Sequence, residues 1–229
     1  MALKLEQISF AYRSEVSVLC GISSHMRAGK LTAIIGENGS GKSTLMNLMA
    51  GILKPTAGRI VRPLNGSASI GYLGQNAQPS WALSATDLVA IGLLSQRYLA
   101  QEQVQQRVIQ ALEQVDCAHL AQRSIAHVSA GELQRLQLAR ALVAEPTVIL
   151  ADEPTAALDL RHQGSIMRLL RQQADNGNVV VVVLHDLQLV QTWCDDVVVL
   201  KAGRVHQQGT AAEILNADLV QQVFGVSDF

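Results

Sequence analysis

Charge of either sign, cysteine and long apolar runs are all scarce in this 229-residue chain, and each scarcity closes a class of reading. With a formal net charge of -1, the chain does not grip nucleic acid through its overall field, so no nucleic-acid partner is expected. Cys20, Cys117 and Cys194 are odd in number and far apart, which fits neither a zinc pattern nor a disulfide framework and suits buried thiols in a reducing compartment. The longest pure apolar run, VVVVVL at 179–184, is far too short to span a bilayer, and the start, MALKLEQISF, lacks the apolar stretch of a signal peptide. The expectation is a soluble, cytoplasmic chain whose work at any membrane needs other chains to span it. No internal repeat or low-complexity linker is evident.

What is present is a globular composition, 48% hydrophobic and 16% charged, long enough for one sizeable core with a subdomain and short for two independent domains. Short apolar runs punctuate it: LTAII at 31–35, SIGYL at 69–73, TVILA at 147–151, VVVVVL at 179–184 and DVVVL at 196–200. Those at 31, 147 and 179 are continuous rather than alternating, as strands covered on both faces tend to be, and helical patterns stand between them. This predicts an α/β fold. From about Ala77 to Ala130 no strand-like run occurs; instead QEQVQQRVIQALEQV puts Val104, Val108, Ala111 and Val115 on one stripe of a helix, which reads as a helical insertion.

GENGSGKST at 36–44 carries the first chemistry. Gly36 to Ser43 fits G-x-x-x-x-G-K-[ST] between a predicted strand and a predicted helix beginning near Ser43. Glycines at 36, 39 and 41 permit a tight turn whose amides point inward, and the helix N-terminus adds unpaired N–H groups, so a di- or triphosphate is held by backbone. Lys42 supplies a mobile charge for the β- and γ-phosphates, and Ser43 an oxygen for Mg²⁺. VILADEP at 148–154 ends an apolar strand in two carboxylates: Asp152 to hold Mg²⁺ and Glu153 to reach the water that attacks the γ-phosphate. Alone, that pair would be an acidic turn capping the next helix. VSAGELQRLQLARALVAEP at 128–146 opens an amphipathic helix with Leu133, Leu136 and Leu142 toward one side.

Taken together, and in this order, these segments resemble the ATPases of ABC transporters over essentially the whole chain. Ser129, Ala130, Gly131 and Glu132, followed by Gln134, Arg135 and LARAL, are similar to the family's signature motif. The resemblance implies a P-loop NTPase cassette fold with a RecA-like core and a small antiparallel β subdomain over 1–76 and 135–229, and a helical subdomain over 77–134. It also implies ATP and Mg²⁺ as ligands, with nucleotide held by Tyr12 on the adenine and by Gly36, Glu37, Asn38, Gly39, Ser40, Gly41, Lys42, Ser43 and Thr44. Gln75 then looks like the glutamine that joins Ser43 and Asp152 at the magnesium, Asp159 like the aspartate of the D-loop, and His185 like the switch histidine acting with Glu153 and Lys42. Ala130 stands where the first of two glycines is usual, so its methyl is expected to narrow the approach to a γ-phosphate or to forbid a positive φ.

One phosphate loop and one signature per chain imply a head-to-tail homodimer around two ATP molecules, membrane permease subunits, a separate substrate-binding protein and a peripheral place on the cytoplasmic face of the membrane. The coupling surface is expected around Gln75 to Leu94. Trp81 suits either a partner contact there or the core. ALDLRHQ, the segment 195–215 and the ending LVQQVFGV resemble importers of iron-siderophore, haem and cobalamin complexes. The compact stretch between Gly58 and Tyr72 looks instead like zinc or manganese importers, and a soluble ATPase of iron-sulfur assembly is a third reading.

Overall fold

A computed structural model describes residues 2–13, 16–63, 69–74, 83–96 and 98–216. Its centre is a six-stranded sheet in the order β5 (Ile70–Leu73), β6 (Val148–Asp152), β7 (Val179–Val183), β3 (Leu31–Ile35), β8 (Asp196–Lys201) and β9 (Arg204–Thr210). The pairs from β5 to β8 are parallel, and β9 closes the edge antiparallel to β8. All five apolar runs are strands of this sheet. Alternate residues of the central strands enter two cores: Leu31, Ala33 and Ile35 with Val180 and Val182 on one face, Ile34 with Val179, Val181 and Val183 on the other. Burial on both faces is why these strands read as unbroken apolar runs.

The second core is closed by α1 (Lys42–Ala50) and by an antiparallel sheet of β2 (Val16–Arg27), β1 (Ala2–Arg13) and β4 (Ala57–Val61). In β1 the buried positions run Leu3, Leu5, Ile8, Phe10. Their two-residue period breaks at Gln7, whose φ is 53° and where the pairing with β2 shifts register. A bulge of this kind changes which face each later side chain takes.

The first core is covered by helices. α2 (Ala85–Ala90), α3 (Gln101–Gln114) and α4 (Ala130–Leu142) pack together on the side of β5, while α5 (Leu160–Asp175) and α6 (Leu187–Trp193) lie along the rest of that face. On the predicted stripe Val108, Ala111 and Val115 are buried and Val104 is half-buried. Arg135 of α4 reaches the end of α3 and donates from Nη1 to the carbonyls of Val115 (3.0 Å) and Asp116 (2.9 Å). A cation at a helix C-terminus satisfies carbonyls left without intrahelical partners and the negative end of the dipole. α4 is continuous across residue 134, where the sequence reading places the return from the helical part to the core. Cys20 lies half-buried in β2, whereas Cys117 and Cys194 are buried in the helix-covered core.

Candidate nucleotide site and the separate signature

β3 ends at Ile35, and the next six residues turn sharply into α1. Gly36, Gly39 and Gly41 have φ of 147°, 78° and 101°. A Cβ at Gly36 would overlap the carbonyl oxygen of Leu200, and one at Gly41 would lie 2.6 Å from Leu19 Cδ2, so both positions combine a left-handed backbone with no space for a side chain. Asn38, Gly39, Gly41, Lys42, Ser43 and Thr44, with Val18 and Glu153, line a cavity of about 490 Å³. Lys42 folds back onto its own loop, donating from Nζ to the carbonyls of Gly36 (2.8 Å) and Glu37 (2.9 Å). Burial lowers its pKa, and the charges of Glu153 and Asp152 work against that shift.

Asp152, at the end of β6, is 1% exposed, and neither of its carboxylate oxygens has a hydrogen-bond partner among the described residues. Burial pushes its pKa up; the neighbouring Ser43 hydroxyl and the Lys42 charge act in the opposite direction. A buried carboxylate left in this condition, beside a serine hydroxyl, is a donor set suited to a hard divalent cation. Glu153 follows with a φ of 53°, a left-handed backbone that costs a non-glycine residue about 1 kcal/mol. Its N–H donates to the Val183 carbonyl at 3.2 Å, and its Oε1 lies 2.7 Å from Nε2 of His185, just beyond β7. Two adjacent parallel strands thereby deliver the acidic pair and the histidine to one rim. Tyr12 reaches the same end: its hydroxyl is 3.2 Å from Thr44 Oγ1 and its ring, mostly exposed, stands edge-on to Phe10 at 4.9 Å. Val18 was not legible as a lining residue, because only the packing of β2 under the loop brings it there.

The signature residues stand elsewhere. Ser129, Ala130, Gly131, Glu132 and Arg135, with Ala157, Leu158, Asp159 and His162, line a separate cavity of about 340 Å³. Ser129 caps α4 reciprocally: its Oγ accepts from the Glu132 N–H at 3.2 Å and its own N–H donates to Glu132 Oε2 at 2.7 Å. Ala130 is the first residue of the helix and has no positive φ, which removes the backbone half of the concern about its methyl group. Asp159 caps α5, accepting from the His162 N–H at 2.9 Å, with His162 Nδ1 also 2.8 Å from Oδ1. In the expected coupling segment, Asp87 is occupied in the cap of α2, where its Oδ2 accepts from Ser84 Oγ at 2.6 Å, while Leu94 is 68% exposed. Gln75, Trp81 and the ending LVQQVFGV fall outside the described residues.

A family profile described as ABC transporter matches residues 19–156, more than half the chain. The chain belongs to the ABC transporter family. With that membership comes ATP hydrolysis as its reaction. Among its relatives, a hemin import ATP-binding protein HmuV of Rhizobium meliloti (strain 1021) is 37% identical, the match covering 91% of this chain and 86% of that protein. An energy-coupling factor transporter ATP-binding protein EcfA2 of Clostridium perfringens (strain SM101 / Type A) is 35% identical over 93% of this chain and 79% of its own. Of solved structures, a metal-chelate type ABC transporter in an inward-facing conformation superposes with a TM-score of 0.86 at 30% identity, covering 98% of this chain and 89% of that one. A dimeric ATP-binding cassette in a post-hydrolysis state with ADP and Pi gives 0.80 at 27% identity, covering 91% and 98%. The cassette fold foreseen from the phosphate loop and signature is thus present, and no described helix is long and apolar enough to cross a membrane.

Proposed function

We propose that the chain is the ATP-hydrolysing subunit of an importer, coupling hydrolysis to uptake of a metal chelate, with haem or an iron-siderophore as cargo. The observation that carries the chemical part is the Glu153–His185 contact of 2.7 Å at the rim of the cavity that Lys42 and Ser43 line. In this reading Lys42 exchanges the Gly36 and Glu37 carbonyls for phosphate oxygens, Gly36 to Thr44 wrap the phosphates, and Tyr12 carries the adenine. Glu153 polarises the attacking water, and His185 with Lys42 stabilises charge on the transferring phosphoryl group. Ser43, Asp152 and Gln75 would hold Mg²⁺, which neutralises charge on the phosphates when bound.

The signature cavity supports a two-chain arrangement. Its polar side chains serve caps rather than the phosphate cavity, so a complete site needs Ser129 and Gly131 of one copy against nucleotide held by the other, with Ala130, Glu132 and Asp159 at the seam. The helical part, residues 77–134, then faces membrane permease subunits from the cytoplasmic side, and a separate binding protein supplies the cargo. The hemin-importing relatives and the metal-chelate neighbour support the choice of cargo; the energy-coupling factor relatives favour a second reading, a transporter of that type. A tagged pull-down from detergent-solubilised membranes of the source cell, read by mass spectrometry, tests both. Recovery of a multi-helix permease at about one chain per ATPase chain supports import, and the permease's sequence separates the two types. Recovery of soluble assembly proteins without any membrane subunit overturns it.

A further inference from the structure

Glu153 is held by more than its own strand. Its carbonyl oxygen accepts two hydrogen bonds: one from the Ala156 N–H at 3.1 Å, closing the turn after β6, and one from Gln134 Nε2 at 3.0 Å. Gln134 lies in the second turn of α4, the helix that Ser129 and Glu132 cap. The same helix presses on the turn at a second point, because a Cβ on Gly131 would lie 3.0 Å from the Ala157 carbonyl oxygen and 3.2 Å from Leu158 Cδ2. Two of the turn's residues, Glu153 and Ala157, have positive φ, 53° and 59°, and residues in that region persist only where surrounding contacts over-determine them.

We infer that Gln134 is a positioning residue for hydrolysis: its amide N–H, donated to the Glu153 carbonyl, fixes the backbone from which the Glu153 carboxylate is aimed. The inference rests on the reading of Glu153 as the carboxylate that polarises water. It gives the signature helix a second role. Besides facing nucleotide on another copy, α4 sets the geometry of the carboxylate in its own chain, so a displacement of α4 is felt at Glu153 through one hydrogen bond and one close backbone contact. Side-chain amide to backbone carbonyl is the bond used, and it needs a donor at this position; a shape-matched residue without N–H cannot make it.

The test is ATP hydrolysis by the full-length chain carrying Gln134→Met, Gln134→Glu, Gln134→Lys, Glu153→Gln, or Gln134→Met with Glu153→Gln. The two variants that lose the donor are expected to lower kcat by about 10- to 100-fold, the scale of a small misplacement of a reacting group, with KM for ATP and the melting temperature unchanged. Gln134→Lys, which keeps an N–H donor of similar reach, restores most of the rate. On the Glu153→Gln background, Gln134→Met changes the residual single-turnover rate less than twofold, since the group it positions is already gone. Full kcat in both donor-loss variants, or an equal loss on the Glu153→Gln background, overturns the inference while leaving the role of Glu153 intact. If Glu153→Gln itself retains full kcat, the reading of Glu153 fails and the inference with it. A drop in rate that follows the melting temperature across the three single variants at 134, with no rescue by lysine, also overturns it.

Discussion

The phosphate-loop cavity and the signature cavity differ in how their polar groups are satisfied. In the signature cavity Ser129 and Glu132 satisfy each other, and Asp159 is satisfied by the backbone and ring of His162. In the phosphate cavity Lys42 is folded onto two carbonyls of its own loop, the buried Asp152 carboxylate has no hydrogen-bond partner among the described residues, and Glu153 sits on a left-handed backbone. The signature cavity is shaped by helix caps, though Arg135 Nε and the left-handed backbone of Ala157 leave it partly unsettled; the phosphate cavity gathers an ammonium and two carboxylates around a glycine-rich turn.

The difference is broken most severely at Gly36. Gly36→Ala forces a methyl group into the Leu200 carbonyl at a φ of 147°, with an expected loss of about 3 kcal/mol in stability and of detectable ATP binding, read by denaturant melts and nucleotide titration. Gly39→Ala, at a φ of 78° but with nothing within 4 Å of its Cβ, is expected to cost only the backbone term of about 1 kcal/mol. Equal costs at the two positions would show that the loop is not braced by β8.

Lys42→Met sharpens the contrast in another way. Affinity for ATP should fall at least 100-fold by fluorescent-nucleotide titration, equivalent to about 2.7 kcal/mol, while the melting temperature holds or rises because a buried charge has been removed. A fall in melting temperature would mean that the ammonium is a structural strut rather than a ligand in waiting.

The smallest effects belong to the signature cavity. Ser129→Ala should cost about 1 kcal/mol through the lost cap. Glu132 adds a pH dependence: hydrogen bonds from the Ser129 N–H and hydroxyl lower its pKa below 4.5, so its contribution is fully present above that value and is lost as pH falls through the lowered one. Melting curves of Glu132→Ala should therefore lie below the parent near neutrality and converge with it at acid pH; a gap that widens on acidification would contradict the cap.

How much of this could be read from residues alone depended on where the causes lie. The parallel strands were legible because helices and a second sheet cover both faces, leaving LTAII and VVVVVL unbroken. β1 was not legible as a strand from its pattern, since the bulge at Gln7 shifts the phase between Leu5 and Ile8; an antiparallel subdomain was expected only through the family resemblance. The phosphate loop announced itself because φ values near 80° to 150° demand glycine at set spacings. That Val18 lines the phosphate cavity and that Gln134 meets Glu153 was not legible, because each depends on packing between separate elements; the Asp159–His162 pair, three residues apart at the start of α5, is a local cap whose spacing the sequence does carry.

The placement of the three thiols turns the chain into its own reporter of opening. Burial pushes the Cys117 thiol up to about 11 and the Cys194 thiol up to about 12, so almost no thiolate exists at neutral pH in either place, while Cys20 sits half-buried in the antiparallel sheet. Alkylation followed by mass spectrometry therefore acts as a clock with two hands. The first reads the antiparallel sheet, and the second moves only when the helices lift from the central sheet.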